Sequence, residues 1–284
     1  MLDGSTYSGT SSRLGQRLVV SEAAVRGWSL VAIDVKKAFL KGVTYKELAK
    51  LTGEPLRDVC FEVPPKLAAV LRRFKGYEDF DERTEVLWMN QPGTGCQDAP
   101  RAFSIKLAWA TNDKFGAKPL THCEQTIVRH DKSHILDFIA AKHVDDIKSA
   151  ADTKIIHGLI ICLKEVFGKG ELDITWQNFT CCGVRHSLRS DGAWVMDQHE
   201  CVKALKPIVS SELTGRSNQS ECTPYLSKLF LSLLMATAFA LLTRIDVAAY
   251  LNGLQRFAQK PLVVHVRRLN AVVRFMQTHL IALV

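Results

Sequence analysis

Three aspartates are placed where they could do metal-assisted chemistry. Asp34 interrupts the apolar, β-branched run Ser29-Leu-Val-Ala-Ile-Asp-Val, which has the length of a strand. A carboxylate there costs several kcal/mol to bury unpaired, so it must face solvent, meet a cation or bind metal. Asp145 and Asp146 follow a second apolar run, Ile135-Leu-Asp-Phe-Ile-Ala-Ala-Lys-His-Val, which together with Ile147-Lys-Ser-Ala predicts two short strands joined by a tight turn near residues 143–146. Adjacent acids at a hairpin tip project in different directions, so one can ligate a metal while the other supports it. Phosphoryl transfer with two Mg²⁺ needs oxygen ligands on rigid elements that bring the ions about 3.5–4 Å apart, and three acids on neighbouring strands meet that need. Asp-Asp pairs are also common in solvated turns, and spacing alone leaves both readings open.

The surrounding pattern predicts the elements that must hold these acids. Residues 14–28 carry helical periodicity that breaks at Gly27, so a helix feeds the strand of Asp34. Thr44-Tyr-Lys-Glu47 is a capping box for a short helix stopped by Gly53 and Pro55. Cys60-Phe-Glu-Val-Pro-Pro predicts a short strand before a helix over 66–74, and the acidic stretch from Gly76 a loop. Two glycines and two prolines within Asn90–Arg101 predict a turn that delivers a helix start. A helix over about 152–167 and a hairpin over 179–197 follow. Residues 210–223, rich in Ser and Thr, read as a linker to two or three helices. The most apolar of these, Leu229–Leu242, is expected to be a buried helix too short to cross a bilayer.

With 284 residues, 47% of them apolar and 23% charged, the chain can bury a core without a disulfide or zinc staple. The eight cysteines form no CxxC pair, and Cys181, Cys182, His186, His199 and Cys201 lack zinc-ligand spacing, so a reducing compartment is expected. The net charge of +8 favours a polyanionic partner. From Arg244 onward the charged side chains are Arg244, Arg256, Lys260, Arg267, Arg268 and Arg274, with Asp246 the single acid.

Several blocks, in order, resemble the Ty1/copia-type retrotransposon reverse transcriptases. Asp34-Val-Lys-Lys-Ala-Phe-Leu-Lys-Gly resembles their Asp-Val-Lys-x-Ala-Phe-Leu-x-Gly block, and His143-Val-Asp-Asp their Tyr-Val-Asp-Asp box. Gln97-Asp-Ala-Pro-Arg-Ala-Phe is similar to Lys-x-Ala-Pro-Arg-Ala-Trp, and Cys182-Gly-Val-Arg-His falls where the family has a Leu-Gly hairpin. Thr243-Arg-Ile-Asp-Val and His265-Val-Arg-Arg-Leu-Asn resemble the downstream region, so the likeness runs over roughly residues 14–280. His143 stands where the family has Tyr, and Ile245 where it has Pro.

The resemblance implies an α+β fold: a right-hand polymerase palm with truncated fingers and a helical thumb- or connection-like C-terminal region. Residues 1–13 would be a disordered lead-in, 14–209 the palm with partial fingers, 210–223 the linker and 224–284 the basic helical region. It implies an RNA-directed DNA polymerase in which Asp34, Asp145 and Asp146 hold two Mg²⁺, with Mn²⁺ as substitute. Phe39, Thr94 and Gly95 would contact the incoming dNTP, Phe39 stacking under its sugar. Pro100, Arg101, Gly183, Arg256, Arg267 and Arg268 would contact an RNA or DNA template–primer. Lys142 would put a cation beside the carboxylates and ion-pair with Asp145 or Asp146. Only 33 residues precede Asp34, where the family has a basic fingers segment, and no block resembles its RNase H or integrase domains. A Pol polyprotein fragment in cytoplasm or nucleus is therefore expected, with a catalytically inactive nucleic-acid-binding remnant as the alternative.

Overall fold

The computed structural model describes residues 9–283 of a mixed α/β protein with antiparallel sheets and helices. The chain divides into two compact units, one running up to Val19 and from Ile33 to Ile174, the other comprising Val20–Ala32 and the chain from Thr175 onward.

A six-stranded sheet has the strand order β4-β5-β6-β7-β1-β8. These strands are β1 (Ser29–Val35), β4 (Lys118–Leu120), β5 (Cys123–His130), β6 (Leu136–His143), β7 (Asp146–Ala151) and β8 (Leu172–Trp176). β2 (Cys60–Phe61) and β3 (Leu87–Trp88) form a separate antiparallel pair. β6 and β7 pair antiparallel from Phe138 opposite Ala151 to His143 opposite Asp146, as the hairpin reading requires. The helices are α1 (Arg13–Arg26), α2 (Tyr45–Thr52), α3 (Pro65–Leu71), α4 (Ala99–Ala108) and α5 (Thr153–Phe167). α5 presents Ile156, Leu159, Ile160 and Leu163 to the interior at helical spacing, and the Asp152 side chain caps it by accepting from the Lys154 N–H. The Thr44–Glu47 capping box forms as the sequence predicts. Gly42 packs so closely on α4 that a Cβ there would lie 2.8 Å from that of Ala102.

Of the lead-in expected to be disordered, residues 1–8 lie outside the described residues. Thr10 bridges His143, and the Ser11 N–H donates to the Lys142 carbonyl at 3.1 Å.

The second unit holds β9 (Phe179–Cys181), β10 (Val184–Leu188) and β11 (Trp194–Asp197), with α6 (His199–Ala204), α7 (Pro224–Phe239), α8 (Ala248–Gln255) and α9 (Val263–Thr278). Its core joins Phe230 and Leu234 of α7 to Leu251 of α8 and to Leu269, Val273 and Met276 of α9. Two expectations are corrected here. The segment Pro224–Leu242 is 19 residues long, apolar and long enough by length and composition to cross a membrane, but its inner face is core while Tyr225, Leu231, Met235 and Phe239 are exposed. Residues 210–223 are tied down: the N–H groups of Val264, Val263 and Cys222 bond to the carbonyls of Asn218, Ser220 and Pro261 at 3.1, 3.0 and 3.1 Å. Arg267 adds bonds to the Asn218 side chain and, at 2.8 and 3.0 Å, to the Leu213 and Arg216 carbonyls. Polar composition suggested a free linker because sequence shows loop character and not the backbone partners of a loop.

The β9–β10 turn is Cys182-Gly183, with φ of 51° and 73°, the two positive values a type I′ hairpin turn needs. A Cβ on Gly183 would lie 2.7 Å from Cζ of Phe239. Gly183→Ala is therefore expected to lower stability by about 1–3 kcal/mol in denaturant unfolding, from left-handed strain and overpacking together. Repeating it in a Phe239→Ala background should recover the overpacking share.

Candidate active site

Asp34 occupies an interior strand, β1, next to β7 in the sheet, and β7 begins with Asp146. The β6–β7 connection is the two-residue turn Val144-Asp145, in which Val144 takes φ 59°. A β-branched residue in that region carries about 1–3 kcal/mol of strain, which the hairpin pairing on both sides must offset. The carboxylates meet electrostatically. Burial raises the pKa of Asp34, and the charges of Asp145, Asp146 and Asp173 raise it further against the opposing charge of Lys36. Asp146 is raised by burial and then by Asp145, with His143 opposing. Three acids separated by more than a hundred residues of sequence therefore share one field, in which added negative charge is disfavoured and a cation is favoured.

Asp173 of β8 belongs to this field, and sequence reading missed it. Its Oδ1 lies 2.8 Å from the Lys36 ammonium, whose pKa that bond raises. Next to it, Lys41 reaches Glu171 at 2.9 Å and the Phe167 carbonyl at 3.1 Å, lowering the Glu171 pKa. Lys36 and Lys41 of the Asp34 block are thus held by residues 167–173. The alternating run Leu172-Asp-Ile-Thr-Trp was the available signal for a strand that carries an acid outward.

Lys142 does not pair with Asp145 or Asp146. Strand alternation puts it on the face of β6 opposite His143, and His143 is the residue paired with Asp146. It is 5% exposed, and burial lowers its pKa from 10.5 to about 8, only partly countered by Glu124. Below about pH 8 the folded state holds this ammonium at a penalty, and between about 8 and 10.5 the unfolded chain binds the extra proton, so stability from this group rises with pH. The full span is about 3 kcal/mol. Lys142→Met is expected to raise stability at pH 7 by about 1–3 kcal/mol, with the parent–variant gap shrinking between pH 8 and 10 in urea unfolding.

No protein-family model and no curated protein matches the chain. Among solved structures it is similar to telomerase from Candida albicans in complex with a TWJ fragment of telomeric RNA, with a TM-score of 0.37 and 11% identity over 96% of this chain and 45% of that one. The chain spans less than half the length of that relative.

The residues expected to contact a nucleotide fall on two adjoining segments. Phe39 is half-buried in a single 3₁₀ turn, Ala38–Leu40, directly after β1. The Gln91 amide donates to the Leu40 carbonyl, and a Cβ on Gly93 would lie 3.3 Å from Cδ2 of Leu40. The turn that carries Phe39 is thus joined through Leu40 to the start of the loop that carries Thr94 and Gly95. Gly95 takes φ 96° and a Cβ there would meet no atom within 4 Å, so backbone conformation demands glycine and the space above it is open. Thr94 is exposed.

Two of the expected template–primer contacts are corrected. Pro100 starts α4 as expected, but Arg101 is buried and its Nη1 donates to both Glu54 oxygens at 3.0 Å. It anchors α4 on the chain after α2 and is not presented to a ligand. In the second unit Gly183 is exposed at its hairpin turn. Arg267 is consumed by the 213–218 segment, whereas Arg256 and Arg268 line a groove between α8 and α9. His186 stacks on Phe179 at 4.9 Å, with Nδ1 3.0 Å from the Val184 carbonyl.

Proposed function

We propose that this chain is an RNA-directed DNA polymerase of the Ty1/copia retrotransposon type, with a palm formed around Asp34, Asp145 and Asp146. The observation that carries the reading is the shared field of these carboxylates, placed by an interior strand and a neighbouring hairpin tip. The three carboxylates are oxygen donors, the kind Mg²⁺ prefers, and the repulsion among them, only partly opposed by Lys36 and His143, is what a pair of divalent ions would neutralise. When bound, the ions stabilise charge on the attacking and leaving oxygens as a primer 3′-hydroxyl displaces pyrophosphate from a dNTP. Asp34 and Asp146 hold the ions from paired strands, Asp145 from the constrained turn. The half-exposed ring of Phe39 offers a surface for the nucleotide sugar, and Gly95 leaves the adjoining space clear.

The test is primer extension on an RNA template at low salt with Mg²⁺ and dNTPs, comparing the chain with its Asp145→Asn, Asp146→Asn double variant. Extension by the parent alone is expected. Equal extension by both would sink the assignment. If neither extends while both bind the primer–template, with affinity falling as salt rises, the chain is the nucleic-acid-binding remnant.

A further inference from the structure

A groove in the second unit lies between α8 and α9, with a volume of about 750 Å³. Each wall repeats at helical spacing: Tyr250, Gly253 and Phe257 on α8 and the turn after it, and Arg268, Ala271 or Val272, and Phe275 on α9. Tyr250 is 68% exposed and Phe257 and Phe275 are exposed as well, an apolar surface open to a guest. A Cβ on Gly253 would meet nothing within 4 Å, so the groove admits close approach there.

Its charge is one-sided. From Val247 to the last residue the sequence contains no acid, and no ion pair among the described residues includes Arg256 or Arg268. Two of the three aromatic rings that line the groove, Phe257 and Phe275, already carry a stacked partner, and only Tyr250 offers an open ring. Phe257 is stacked on His265 at 3.8 Å, and Phe275 is stacked on His279 at 4.6 Å with the Arg244 guanidinium 5.8 Å from its centroid. Nucleobases bind by stacking on open ring faces, whereas edges beside an aliphatic floor suit aliphatic side chains.

We infer that this groove docks an acidic amphipathic helix of a partner protein, its apolar residues at i, i+3 and i+7 seated between α8 and α9 and its carboxylates on Arg256 and Arg268. The inference shares Arg256 and Arg268 with the expected template–primer contacts but uses neither the carboxylates nor the nucleotide surface, so peptide binding and primer extension report on the two readings separately.

The test is fluorescence anisotropy of the full chain with a labelled synthetic helical peptide of about four turns, roughly 14 residues, carrying leucines at i, i+3 and i+7 flanked by glutamates. Saturable binding is expected, at least about tenfold stronger than for a peptide of the same composition with scrambled spacing. Gly253→Leu, which fills the groove, should weaken it by a similar factor, and the Arg256→Glu, Arg268→Glu variant should prefer the same peptide with lysines in place of the glutamates. Ala271→Trp, on the facing wall, gives a second readout should Gly253→Leu fail to fold. Equal binding of the scrambled peptide, or full binding by both filled variants, would overturn the inference. So would displacement of the peptide by a single-stranded oligonucleotide or an anionic vesicle whose own binding the filled groove abolishes, or a dimer of the chain alone that Gly253→Leu dissociates.

Discussion

Asp34→Asn is expected to abolish Mg²⁺-dependent primer extension, by on the order of 10³-fold or more, and at the same time to make the metal-free protein more stable. The two effects have one origin. Asp34 is partly buried on an interior strand and faces the charges of Asp145, Asp146 and Asp173, with Lys36 alone opposing them. Its folded pKa lies above the unfolded value, so the carboxylate favours the folded state only while protonated, and that contribution is lost as pH rises through the raised pKa. At neutral pH the ionised cluster opposes folding, and the neutral amide removes one member of it. A gain of about 0.5–2 kcal/mol is expected in denaturant unfolding without divalent ions, shrinking as pH falls toward the carboxylate range. Adding Mg²⁺ should raise the parent Tm at pH 7 and progressively less as the solution is acidified, because the raised pKa of Asp34 and Asp146 makes them take up protons sooner than an ordinary carboxylate. An Asp34→Asn variant that is less stable than the parent and indifferent to pH would show that the cluster is an ordinary solvated acidic edge.

Most of what places this cluster was legible in the sequence. Asp34 inside a β-branched run and an acid pair after an apolar run pointed to two strands and a turn, and the structure pairs His143 with Asp146 as that reading requires. What could not be read were partnerships across the fold. Arg101 and Lys142 differ from a ligand-facing cation only through Glu54 and through the side of β6 on which position 142 falls. Asp173 sits in a short strand whose neighbour in the sheet, β1, lies far away in sequence. The segment 210–223 has loop composition, yet its backbone bonds to residues 261–264. Local pattern specifies element type well because periodicity is local, and it specifies charge pairing poorly because the partner comes from tertiary packing.

Arg244 and Asp246 show how a motif that resembles a functional block can be structural. Arg244 is among the largest fully buried side chains, 1% exposed. Its Nε and Nη2 donate to the two Asp246 oxygens at 2.9 and 2.8 Å, and Nη1 donates to the Met276 carbonyl at 3.0 Å near the end of α9. The fork joins the turn before α8 to α9, and Arg244's hydrogen bond holds the Asp246 pKa below its usual value. Such a guanidinium is paired because the cost of leaving it alone is high, not because the pair itself adds much. Asp246→Ala should therefore cost about 1–3 kcal/mol, since it takes the carboxylate from a buried guanidinium that keeps only its Met276 bond while water reaches the exposed Asp246 side, and the parent's share of stability from this carboxyl should be lost as pH falls through its lowered pKa. Arg244→Met with Asp246→Ala removes both charges and fills the space. It is expected to be more stable than Asp246→Ala alone, a recovery that only a pair governed by desolvation produces. If the double variant is instead as unstable as the sum of its single changes, the two residues act independently, and the fork is not what fastens the turn to α9.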